Sequence, residues 1–358
     1  NKRSDEPFIC AMRFGSCSLG FAVEKDIVLL YSMAMKLIQK AAFASLVLSA
    51  SMLLSCKTLV GNALSTALAG ANGKGVPQKK KASAADPMIA ITGETDVTLV
   101  GEFFPTVLKS YEILQAANPR HIGLMTMTGS LNIMYANAFV QTPAETLPNE
   151  EFDRQHEAFE RAKLHYLRGR DLCLKALDGR HAGFRASVLS GDEEAVKKAC
   201  AKLGKYDVEA AYWACAGWLG AFRLDPLSAD LLGTIRSPAL ILERAASLAP
   251  DYNAGAIWEL LCNFYVSAPS EFGGDTEKGL HCYNEALRAS GGKTPGPYVT
   301  YAETICVPAG DREGFESSLR KALAIDPDAD PSRRLMTTIV QKKAKRLLEH
   351  ASDYFLEW

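Results

Sequence analysis

A cysteine closing a short apolar run can carry a lipid, because its thiolate takes the diacylglyceryl chain. Cys56 is such a cysteine, at the end of "SLVLSASMLLSC" (Ser45 to Cys56). Before the run stands Met35-Lys36-Leu37-Ile38-Gln39-Lys40, with two lysines and no acid. Ala41 to Leu54 is uncharged and largely apolar, close to the about 7–15 residues of a secretory h-region and short of the about 20 needed to span a bilayer. Leu53-Leu54-Ser55-Cys56 resembles the bacterial lipobox, in which a peptidase cuts after the small residue and the cysteine is acylated. A buried N-terminal helix ending on Cys56 is the competing reading. It leaves the register of basic segment, apolar run and box unexplained.

The other residue types capable of chemistry do not assemble. His121, His156, His165, His181, His281 and His350 are scattered, with no HExxH and no close carboxylate grouping to hold a metal. "SGGKT" from Ser290 suggests a phosphate loop, but Leu287 stands where that loop needs its first glycine, and the preceding "CYNEALRAS" is helical. There is no GxSxG nucleophile elbow. The acid pairs Glu150-Glu151 and Glu193-Glu194 open helices, where carboxylates suit the dipole. No catalytic residue, metal site or cofactor is expected.

These residues divide the chain. Asn1–Ala34 reads as an extension upstream of a start at Met35, 35–55 as a lipoprotein signal peptide, 56–95 as the lipidated cysteine and a flexible tether, and 96–358 as the folded domain. The tether is rich in Gly and Pro and carries Lys79-Lys80-Lys81. Of 40 basic residues 6 precede Cys56, and of 41 acidic residues 4 do, which leaves a net charge of −3 from Cys56 onward. That balance offers no electrostatic footprint for nucleic acid. Six later cysteines, Cys173, Cys200, Cys215, Cys262, Cys282 and Cys306, form no CxxC and lie in apolar helical patterns. They are expected to be free, buried thiols.

From Asp96 the hydrophobic period is helical throughout, in stretches of about 10–20 residues with Pro, Gly or Asp breaks. The expected fold is all-α. "ERAASLAP", "NEALRASG" and "RKALAIDP" are three helix ends of one texture, with Pro250, Gly291 and Pro327 spaced 41 and 36 apart. Tetratricopeptide units repeat about every 34 residues, with small residues at the helix crossing. The chain therefore reads as a solenoid of cryptic tetratricopeptide-like helix pairs, with an irregular all-helical domain as the alternative.

At this point a family resemblance is specific. "GEFFPTVLKSYEILQAANP", "MYANAFVQ", "YWACAGWLGAFRLDP", "LERAASLAPDYNAGAIWELLCNFYVSAP" and "RLMTTIVQKKAKRLLEHASDYFLEW" resemble the T-component, TatT-like family of lipoproteins associated with TRAP-type transporters. The resemblance implies a periplasmic, membrane-tethered adaptor that binds the solute-binding (P) subunit and forms a homo-oligomer, a trimer. A lipoprotein that itself carries a hydrophobic ligand in a repeat-lined cavity or pore is the alternative function. An α-helical enzyme is disfavoured by the missing constellation.

The first helices of the expected pairs carry Tyr135, Asn137 and Gln141, then Tyr212 and Trp213, then Trp258, then Tyr298 and Tyr301. Such aromatics either fill a core or line a groove. Asn137 and Gln141 stand one turn apart, so they share a face that meets water or a partner's backbone. As a set, the eight are the expected partner- or ligand-binding surface.

Overall fold

A computed structural model describes residues 89–355. The signal peptide, Cys56 and the tether up to residue 88 lie outside the described residues, as do 356–358. Aspartates start the helices at Val97–Ala117 (α1), Glu193–Cys200 (α5), Thr276–Ser290 (α10) and Arg312–Leu323 (α12). The caps are Asp96, Asp192, Asp275 and Asp311, each accepting from an amide of the first turn. Gly291 (φ 60°) ends α10 in the left-handed region that only glycine enters cheaply.

The remaining long helices are Ile122–Met134 (α2), Phe152–Arg180 (α3), Val208–Leu224 (α6), Arg236–Leu248 (α8), Ala256–Ser267 (α9), Gly296–Tyr301 (α11) and Arg334–Glu349 (α13). Short helices Phe184–Val188 (α4) and Ala229–Leu232 (α7) lie between them. No strand occurs among the described residues. The principal packing partners are α3 with α6 and α2, then α6 with α8, α9 with α10 and α11 with α12; the last three are the pairs whose second helices carry the rhyming ends.

The rhyme has a packing cause. Ala245, Ala286 and Ala322 each stand five residues before Pro250, Gly291 and Pro327, on the second helix of a pair, and each is 0% exposed. Ala176, in the "KALDG" end of α3, is a fourth instance, also 0% exposed. A methyl side chain at each position lets the second helix lie close against its neighbours.

The tightest packing joins α2, α3 and α6. A β-carbon at Gly169 would stand 2.6 Å from the Gly129 carbonyl oxygen and 2.5 Å from the Ile133 side chain. At Gly217 it would stand 2.7 Å from the Tyr166 carbonyl oxygen, and at Gly220 2.6 Å from the Tyr166 ring. Glycine is the only residue that permits this approach.

The first helices α2, α6, α9 and α11 touch in chain order, and α13 then contacts α11, α1 and the turn Ile89–Thr92. Arg334 Nη1 donates to the Gly93 carbonyl at 2.9 Å, tying the C-terminal helix to the start of the described residues. Gln341 Nε2 donates to the Ala322 and Ile325 carbonyls at 3.0 and 2.7 Å, covering the open end of α12. Here α13 returns to the first elements because Leu335 and Ile339 on its apolar face are buried in the same core as α1 and α2. The last repeat keeps a smaller core of its own around Phe315, Leu319 and Leu347.

Gly169→Ala is expected to destabilise the fold by about 1–3 kcal/mol through overpacking. Gly179→Ala, whose β-carbon finds only Ile122 at 3.7 Å, is expected to gain up to about 1 kcal/mol of helix propensity. Chemical denaturation of both variants checks this; similar responses would refute the close-packing account.

Candidate functional site

Two helices of the inner layer carry wide turns. After α2 the chain continues as a π-helix over Tyr135–Gln141, and after α11 as a π-helix over Ala302–Cys306. The Thr142 amide bonds back to the Asn137 carbonyl and the Val307 amide to that of Ala302. Pro143 and Pro308 follow immediately. A proline inside a helix has no N–H to give and its ring collides with the carbonyl four residues back. Widening the turn relieves both problems while the helix keeps its direction. The sequence signal is a Tyr-Ala pair with a proline about two turns on, at Tyr135-Ala136 to Pro143 and Tyr301-Ala302 to Pro308.

The first wide turn feeds a buried polar network. Tyr166, 2% exposed on α3, donates its hydroxyl proton to Gln141 Oε1 at 2.6 Å and accepts from Asn137 Nδ2 at 3.1 Å. Gln141 Nε2 then donates to Glu145 Oε1 at 2.7 Å. Burial raises the Tyr166 hydroxyl well above the usual phenol range, which keeps it a donor. Asn137 and Gln141 therefore do converge, but on Tyr166. Asn137 remains exposed. Gln141 is 3% exposed and its amide is satisfied within the protein, so it does not belong to a solvated face.

Glu145 follows the first wide turn and faces α13. Lys343 on α13 reaches Glu303 at 2.8 Å and Glu145 at 3.9 Å, so one ammonium bridges the two wide-turn helices. Arg223 at the end of α6 reaches Glu145 at 3.4 Å. Around this group opens a cleft of about 420 Å³. Its walls are apolar at Val97, Ala138, Ile339 and Leu347 and basic at Arg223, Lys342, Lys343 and Arg346.

The expected aromatic set is spread along the inner layer. Tyr135 is 7% exposed and packs on Phe104, with ring centroids 6.0 Å apart and Arg161 over its face. Tyr212 meets Trp213 edge-on at 5.0 Å. Trp258 donates its indole N–H to the Pro250 carbonyl at 2.8 Å, and Tyr301 lies 4.5 Å from Tyr283. Tyr298 accepts at its carbonyl from Ser318. All but Tyr135 are half-buried, and none of these contacts joins Tyr135 to the others.

Beside Tyr212 and Trp258 lies Glu259, against which Gly296 packs with no room for a β-carbon. Burial raises the Glu259 carboxyl to about 7, opposed weakly by Arg333. Three histidines have clear structural partners. His121 Nδ1 accepts from the Leu124 amide and so caps α2, and His181 Nε2 lies 2.9 Å from Asp207. His165 lies edge-on to Tyr135 and pairs with Asn132, and burial with nearby Arg168 lowers it to about 4. Among the described residues no three His, Cys, Asp or Glu side chains converge to hold a metal, and no helix is long and apolar enough to cross a membrane.

The family model for the TRAP transporter T-component matches residues 93–355. The chain belongs to that family. It is also 42% identical over 275 residues, 77% of this chain and 85% of the other, to an uncharacterized protein of Treponema pallidum (strain Nichols). The match begins at Gly93, whose carbonyl receives Arg334, and ends at Phe355, which packs on Phe315 at 5.2 Å. The T-component family match thus spans the closed helical layer from end to end.

Tyr166, Glu145, Glu303 and Lys343 were not among the residues singled out in the T-component sequence. They lie up to 198 positions apart, and the only local signal is the shared Tyr-Ala…Pro spacing of the helices that present Glu145 and Glu303.

Gln141→Ala removes a buried partner of both Tyr166 and Glu145. It is expected to cost about 1–3 kcal/mol, whereas Asn137→Ala, at an exposed position, is expected to stay within about 0.5 kcal/mol. Urea denaturation distinguishes the two, and equal effects would refute the network. Glu259 gives a pH signature. Its folded-state value of about 7 lies above the unfolded value of about 4.3, so the folded form holds the extra proton between them. The stability associated with the neutral carboxyl is therefore complete below about pH 4.3 and lost as pH rises through about 7. Glu259→Gln is expected to match wild type at low pH and to exceed it above pH 7 in thermal melts; a difference that does not change with pH would refute the assignment.

Proposed function

We propose that this chain is the membrane-anchored periplasmic adaptor of a TRAP-type uptake system, holding the solute-binding subunit near the membrane and performing no catalysis. The observation that carries the reading is the family match across 93–355, on a fold of stacked helix pairs, an architecture that works by presenting surface. The family is a transporter component rather than an enzyme family. The lipobox-like Leu53-Leu54-Ser55-Cys56 supports the anchor. Two acyl chains hold a protein stably at a bilayer where one holds it marginally.

Exposed Leu99, Phe103 and Ile113 on α1, 55%, 51% and 69% accessible, support contact with another chain, since large apolar side chains left exposed along one helix are favourable to cover. The homo-oligomer, a trimer, belongs to the same proposal.

Cys56→Ser is expected to move the protein from the membrane fraction to the soluble periplasmic fraction while leaving co-purification with the solute-binding subunit intact. Retention in the membrane without acyl labelling of wild type would overturn the anchor. Absence of the solute-binding subunit from both wild-type and variant pull-downs would overturn the adaptor.

A further inference from the structure

We propose that the cleft between the first wide turn and α13 binds an organic anion, a carboxylate carried on an apolar body. The volume, about 420 Å³, lies within the about 300–1,000 Å³ usual for ligand sites. The charges on its walls do not balance. Glu145 and Glu303 are engaged by Arg223 and Lys343. Lys342 and Arg346, the other two basic residues of the lining, have no acidic partner among the described residues. They stand four apart on α13, so both head groups are presented on one side of the helix.

A cation is repelled by this pair. A purely polar ion leaves Val97, Ala138, Ile339 and Leu347 wetted. A neutral apolar molecule covers those walls and withdraws water from two unpaired cations, which is costly. A carboxylate with an aliphatic or aromatic body satisfies both surfaces at once, its oxygens at Lys342 and Arg346 and its body against Ile339 and Leu347. Arginine offers a planar fork for two carboxylate oxygens, and lysine adds a point charge beside it.

The wide turn after α2 contributes. It carries Ala138 to the cleft wall, and it brings Gln141 to Glu145, which keeps that carboxylate turned toward protein donors. The fixed acid therefore does not occupy Lys342 and Arg346. The proposal is independent of whether the chain docks a solute-binding subunit.

Isothermal titration of the full chain with octanoate, octanol and octylammonium tests it. Octanoate is expected to bind saturably, more tightly than octanol and far more tightly than octylammonium. Its affinity is expected to fall as ionic strength rises from about 0.01 M to about 1 M, which shortens the screening length from about 30 Å to about 3 Å. Lys342→Gln with Arg346→Gln is expected to weaken octanoate by about fivefold to thirtyfold, the sum of two partly solvated charge contacts, and to leave octanol unchanged. Equal binding of octanoate and octanol to wild type, no effect of the double variant, or no saturable octanoate binding would each overturn the proposal. Should the double variant melt several degrees lower, Lys342→Glu alone, at an exposed position, carries the test: it reverses the local charge and is expected to abolish octanoate binding with the melting temperature unchanged, and unchanged binding would refute the site.

Discussion

The close approach of α2, α3 and α6 is the constraint on which the rest of the molecule depends. Gly129, Gly169, Gly217 and Gly220 remove four side chains from one seam, and the Tyr166 ring occupies the space that Gly220 leaves. Dispersion energy falls steeply with gap width, so helices brought this near gain contact along their whole length. The cost is a buried phenol hydroxyl, which the fold satisfies with Gln141 and Asn137. Replacing Gly220 or Gln141 therefore disturbs the same spot, from opposite sides.

From that seam the structure reaches its other end through charge. Gln141 holds Glu145, Glu145 meets Lys343, and Lys343 meets Glu303 in the second wide turn. Apolar burial of Leu335 and Ile339 brings α13 back to the first helices, and Lys343 fixes its register there. The outcome is an inner layer whose first-helix side chains mostly pack against protein rather than forming an open trough. On α1, by contrast, Leu99, Phe103 and Ile113 are exposed.

The six cysteines follow the same logic of small apolar fillers. All are buried and unpaired, and Cys173 sits where a β-carbon on Gly129 would strike its sulfur at 2.5 Å. Burial raises the thiols of Cys200, Cys262 and Cys282 to about 12 and that of Cys306 to about 11, and a thiol kept protonated is a poor nucleophile. Their role is packing between helices.

Much of the architecture was legible in the sequence. The aspartate caps, the Pro and Gly breaks and the alanine-rich helix ends are local, and each acts through neighbours within one or two turns. They determined the helices and their pairing in the last three repeats, while the apolar settings of the cysteines, with no CxxC, pointed to free thiols. Membership of the T-component family was legible for the same reason, since the resembling stretches are contiguous. The wide turns escaped notice because their cause, a proline that the helix survives, looks like a helix end to a local reading. Asn137 and Gln141 were correctly placed near each other, but their common partner Tyr166 is 29 and 25 residues away. Whether a polar side chain meets water or a buried hydroxyl is a property of what packs over it. The return of α13, the Glu145–Lys343–Glu303 bridge and the unbalanced basic pair at the cleft were decided only in three dimensions. Each joins residues from opposite ends of the fold, and hydrophobic periodicity specifies which face of a helix is buried without specifying against what.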